Sequence, residues 1–169
     1  GEEYTKRTFS PRRYESKILN SYGHPVPVVA GKLQKPGWKY FAKVLDTSFS
    51  DAADSVTLDL SAAYGFGKEV KVVRTFGYGR ADKTVTVTDS AEFATPSEFE
   101  TGVITFTEVE RTDRKDVFYL VNGKPARRVR MTVSVKGGDW DVREETLENP
   151  KRREPTRLGI FLKNPVKTA

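Results

Sequence analysis

Cysteine is absent from this chain and histidine occurs once, as His24. The first absence excludes disulfides, thiol chemistry and cysteine-based metal sites. The second leaves a single imidazole to serve as acid, base or ligand near neutral pH. Long hydrophobic runs are missing too. No stretch approaches the ~18–20 apolar residues of a membrane span, so no membrane partner is expected. No segment carries a sustained helical stripe. Gly77-Tyr78-Gly79 precedes no expected helix, so it reads as a turn and not as a phosphate loop, and no cofactor is expected. The opening Gly1-Glu2-Glu3-Tyr4 does not read as a signal peptide, and a leading Gly in place of Met is expected of a processed chain.

What is present is a polar but globular composition. Ten Phe, seven Tyr and two Trp among 169 residues supply a core for one well-packed domain. A net charge of +6 favours anionic partners such as acidic polysaccharide, nucleic acid or an anionic surface, and equally serves plain solubility.

Period-two alternation dominates. Ala42 to Phe49 and Ser55 to Ala62 read as strands, the second with Val56, Leu58 and Leu60 on one face. Val70 to Phe76, Lys83 to Thr88 and Phe99 to Val109 follow. Val117 to Val121 and Ala126 to Val135 flank Asn122-Gly123, the signature of a tight hairpin turn. Trp140 to Leu147 and Leu158 to Leu162 complete the set. The expectation is an all-β fold: one antiparallel two-sheet sandwich spanning 1–169, supersandwich-like, with roughly nine to eleven strands.

Residues 20–38 differ. Pro25, Pro27 and Pro36 with Gly23, Gly31 and Gly37 point to an irregular loop, the usual seat of functional residues. His24 lies there, after Arg12-Arg13-Tyr14 and Asn20-Ser21-Tyr22.

The run Asn20-Ser21-Tyr22-Gly23-His24-Pro25-Val26-Pro27 to Gly31 resembles the Ser-x-Gly-His segment of heparinase II/III-like proteins. Val73-Arg74-Thr75-Phe76, then Thr84 to Asp89, resemble that family's Arg-x-Phe strand and the strand after it. Thr156-Arg157-Leu158-Gly159-Ile160 resembles a late strand of the same domain. The resemblance spans most of the chain but only the family's C-terminal β-sheet domain. It departs from the family at Pro25, where many relatives carry Asn.

That resemblance implies the C-terminal β domain of a polysaccharide lyase. Its partners would be an anionic polysaccharide and an N-terminal α/α toroid of the same parent protein, and its location periplasmic or secreted. The implied reaction is β-elimination on a uronate. A cation or amide neutralises the carboxylate, a Tyr or His abstracts the neighbouring proton, and a second group protonates the leaving O4. Most of that chemistry would lie in the toroid, so the domain is expected to be inactive alone. His24 aligns with the Gly-His motif as a candidate catalytic residue. Tyr22 joins it, with Asn20, Arg13 and Tyr14 as substrate-binding candidates, on chemistry alone.

Each candidate has a plainer reading. His24 could fix its turn through backbone bonds, and Tyr14 and Tyr22 could be packed aromatics. Trp38, Tyr40 and Phe41 could stack on sugar, or begin a strand and cover the core. Arg128 and Arg130 share a strand face and could grip carboxylate or sulfate, or guard a solvated sheet edge. Lys151-Arg152-Arg153 is a second basic cluster. No metal site is expected, since Asp46, Asp51 and Asp54 have no diagnostic spacing. A second functional reading is a non-catalytic carbohydrate-binding or structural module for anionic glycans. Nucleic acid is disfavoured, because neither a recognition helix nor an aromatic single-strand reader is evident.

Overall fold

The computed structural model describes residues 5–150 and 152–169; Gly1 to Tyr4, and Lys151 of the second basic cluster, lie outside them. Twelve strands appear: β1 (Val28–Val29), β2 (Lys43–Phe49), β3 (Ala53–Asp59), β4 (Val70–Gly79), β5 (Thr84–Ser97), β6 (Phe99–Thr105), β7 (Glu108–Arg111), β8 (Val117–Asn122), β9 (Arg127–Thr132), β10 (Trp140–Thr146), β11 (Thr156–Leu162) and β12 (Val166–Thr168). One helical turn, α1 (Ser61–Tyr64), joins β3 to β4. The strands form three antiparallel sheets of four, five and three. The all-β antiparallel class is borne out.

The strand count exceeds expectation for local reasons. Phe99 to Val109 breaks in two because Thr105 Oγ1 accepts the Thr107 N–H at 3.0 Å, and side-chain bonding of this kind turns the backbone away from the ladder. β1 and β12 are too short to show alternation in sequence. Contacts gather the chain into two compact units, 1–26 with 100–163 and 27–99 with 164–169.

The first unit is a sandwich. β11 lies between β6 and β10, with Gly159 opposite both Gly102 and Arg143. The second sheet runs β7–β8–β9. Val142, Leu158 and Ile160 from the first sheet meet Phe118 from the second, with Val103, Val109, Leu120 and Met131 around them. Each such side chain contributes roughly 1.5–3 kcal/mol on burial. Because side chains alternate, Arg143, Arg157 and Gly159 fall on the outer face of their sheet, away from this core.

The β8–β9 hairpin corrects the expected turn. Asn122 pairs with Arg127, so the loop is Gly123 to Ala126 and not Asn122-Gly123. A two-residue loop would put Pro125 into the ladder, where it has no N–H to offer. Gly123 supplies the left-handed position at φ 82°.

In the second unit the sheet order is β12–β5–β4–β3–β2. The expected strand Ser55 to Ala62 ends early. Asp59 Oδ1 accepts the Ser61 N–H at 2.8 Å and starts α1, which ends at Gly65 with φ 71°. Leu60, Ala63 and Tyr64 are buried there with Val70, Val72, Ala91 and Phe93. Arg74 and Asp89, opposite one another on β4 and β5, form a buried two-pronged ion pair at 2.6 and 2.7 Å. Trp38, Tyr40 and Phe41 begin no strand. Gly37 and Tyr40 close a turn, and Trp38 and Phe41 are exposed, not packed into the core.

Candidate functional site

The His24 loop is built by short-range bonds. Asn20 Oδ1 accepts the Tyr22 N–H at 2.8 Å and starts a 3-10 turn over Ser21–Gly23. The other end of the same amide, Nδ2, donates to Tyr14 O at 3.1 Å. A side chain at Gly23 would run into the backbone of Lys17 and Ile18, so only glycine lets these segments close. The His24 N–H donates to Ser21 O, and His24 O accepts the Val26 N–H at 2.8 Å. The backbone is fully engaged while the side chain is exposed. Among the described residues the imidazole makes no hydrogen bond or ion pair.

Beneath the loop lies a charged sheet face. The Tyr22 hydroxyl donates to Glu145 Oε2 at 2.6 Å, and Lys17 pairs with Glu145 Oε1. Arg157 Nε donates to Tyr22 O at 3.0 Å, and its guanidinium lies 4.1 Å from the centre of the Tyr22 ring. Glu100 bridges Arg157 on one oxygen and Arg143 on the other, the latter at 2.7 Å. Arg157 is 1% exposed. Its space comes from two glycines facing each other across β6 and β11. A Cβ on Gly102 would lie 2.9 Å from Nη2, and one on Gly159 2.6 Å from Glu100 Oε1.

The network carries three cations against two carboxylates. Arg157 Nη2 is buried with no hydrogen-bond partner among the described residues. Such an orphan costs about 1–3 kcal/mol, and stacking on a desolvated tyrosine offsets about 2. Burial and then the bond to Glu145 push the Tyr22 hydroxyl above its ordinary pKa. Burial also pushes the Glu145 carboxyl up, but the bonds from Lys17 and Tyr22 outweigh it and hold it below the usual range. The Tyr22 hydroxyl therefore donates to the Glu145 carboxylate near neutral pH, and this bond ties the loop to the sheet.

The other candidates are dispersed. Arg13 is half-buried, its guanidinium 5.6 Å from the Tyr14 ring, and Tyr14 is exposed. Arg128 pairs with Glu110 at 2.8 Å on the outer face of β9, and exposed Arg130 lies beside Tyr119. The sandwich core separates these two arginines from Tyr22. Near the β8–β9 loop a cleft of about 510 Å³ is lined by Thr105, Leu120, Asn122, Lys124, Arg127 and Val129. Lys124 and Arg127 form no ion pair among the described residues. Among the described residues, no group of three or more His, Asp or Glu is placed to hold a metal ion, and no helix is long and apolar enough to cross a membrane.

Sequence reasoning missed Lys17, Glu100 and Glu145 and gave Arg157 no role. One signal was available: Gly159 interrupts an apolar strand beside an arginine, and glycine within a strand marks a close approach. Compared with known proteins, the chain matches no family model and no curated protein.

Proposed function

We propose that the chain is the C-terminal β domain of a heparinase II/III-like polysaccharide lyase, contributing His24 to a uronate cleft completed by a helical toroid. One observation carries this reading. The exposed His24 imidazole engages no described neighbour, yet stands on a loop pinned by Asn20, Gly23 and the Tyr22–Glu145–Arg157 network. Holding a loop so closely costs conformational freedom, which is repaid if the side chain must meet a substrate at a fixed place. Tyr22 and Arg157 are positioning residues, and His24 is the group that reaches substrate. The test compares the parent protein with this chain alone on uronate polymers, following unsaturated product in the ultraviolet. Activity in the parent and none in the chain is expected. Activity of the chain alone, or none in the parent, overturns the reading.

The cleft at Lys124 and Arg127 favours a second reading, a glycan-binding module lined by Leu120 and Val129 and by two cations that form no ion pair among the described residues. Retention of the chain on an affinity gel of anionic polysaccharide, abolished by Arg127→Ala, would support it over the first.

A further inference from the structure

One face of the second unit's sheet is covered for half its length and bare for the rest. Val70, Val72, Ala91 and Phe93 are buried with α1, and the Arg74–Asp89 pair closes that half. Beyond it two cross-strand rows stay open. One runs Thr47, Val56, Phe76, Val87, and the other Phe49, Asp54, Tyr78, Val85. Val44, opposite Leu58, extends the same face. Phe49 is 70% exposed, Val85 69%, Val44 57% and Val87 51%. The opposite face of the same strands is polar, with Ser55, Thr57, Thr75, Thr84, Thr86 and Thr88. The alternation of a buried sheet face therefore continues past the point where anything in the unit buries it.

We infer that this face docks against the same face of a second copy of the chain. Aromatic side chains carry roughly 150–250 Å² each, so at these exposures the bare rows present on the order of 500–600 Å² of apolar surface, the upper end of what monomers leave open. A stable interface removes about 800 Å² from each partner, which the rows and their rim can supply. The rim carries both signs side by side: Arg80 pairs with Asp54 at 2.7 Å. A two-fold axis running along the strands beside this pair would bring each Arg80 near the other copy's Asp54, which makes the patch complementary to itself. Pairing through the free edge of β2 is disfavoured, because the strand bulges between Val44 and Asp46 and carries Lys43 and Asp46. Face-on packing of two sheets remains. This inference is independent of the lyase reading and uses none of its residues.

The test is the mass of this chain in solution at micromolar concentration, by light scattering after size exclusion. Twice 19.0 kDa is expected. Val85→Lys puts a buried unpaired charge in each half of the interface. It should raise the dissociation constant about 100-fold and return the mass to 19.0 kDa, with an unchanged circular dichroism spectrum because the side chain is exposed. Thr86→Lys, on the polar face, should leave the dimer intact. A wild-type mass of 19.0 kDa overturns the inference, and so does a dimer that survives Val85→Lys.

Discussion

Two arginines, each on a sheet face and each buried against a carboxylate, meet different surroundings in the two units. Arg74 faces Asp89 directly across a strand pair, and two parallel bonds at 2.6 and 2.7 Å join them. Arg157 shares Glu100 with Arg143, gives one bond to a loop carbonyl and stacks on a tyrosine. The first arrangement fixes two strands to each other. The second fixes an irregular segment to a sheet, and that segment carries His24. The Arg74 pair thus acts as a clasp between two strands, and Arg157 acts as a mount that ties a loop to a sheet.

The sharpest way to break this comparison is to remove each guanidinium while keeping bulk. Arg74→Met leaves the Asp89 carboxylate buried without it and should cost about 3–5 kcal/mol in urea denaturation. Arg157→Met should cost less than that, because Arg143 still holds Glu100. Equal losses would contradict the distinction. Glycine substitution separates the two sheets next. Gly159→Ala presses on the boxed-in Arg157 and Glu100 and should cost about 1–3 kcal/mol. Gly77→Ala meets only the exposed Thr86 hydroxyl, which can rotate away, and should stay within about 0.5 kcal/mol.

Tyr22→Phe removes one bond to Glu145 and should cost about 1 kcal/mol at neutral pH. Its pH profile carries the sign. Tyr22 has a raised pKa, so its contribution is complete below the ordinary tyrosine value of 10.0 and fades as pH climbs above it. Glu145 has a lowered pKa, so its contribution holds above the ordinary 4.5 and fades as pH falls below that. Tyr22→Phe should flatten part of the alkaline loss of stability. An alkaline limb identical to wild type would remove Tyr22 from the network. The smallest effect belongs to Arg128→Ala, an exposed pair with Glu110, which should change stability by less than about 0.5 kcal/mol.

Much of the fold was legible because strands announce themselves by alternation. Val117 to Val121 and Trp140 to Leu147 fall within a residue or two of β8 and β10. The β8–β9 loop was misread because Asn122-Gly123 is a strong local signal that Pro125, two residues later, overrules. α1 is a single turn, too short for helical periodicity, and was set by Asp59. The site was half legible. Its loop showed in the crowding of Pro and Gly, whereas its support joins Lys17 to Glu145 and Tyr22 to Arg157 across more than a hundred residues. No pattern within a segment encodes such pairs. The bare apolar face was hidden for the opposite reason: Val85 and Val87 alternate as core residues do, and sequence does not say whether a cover exists.

His24 is a held and presented imidazole in the proposed cleft, and its direct test is kcat/KM of the parent protein carrying His24→Ala on uronate polymer. A fall of about 100-fold or more, with unfolding unchanged because the side chain is exposed and unpartnered among the described residues, is the predicted result. A wild-type kcat/KM would contradict it, and would leave the Tyr22–Glu145–Arg157 mount as a purely structural device.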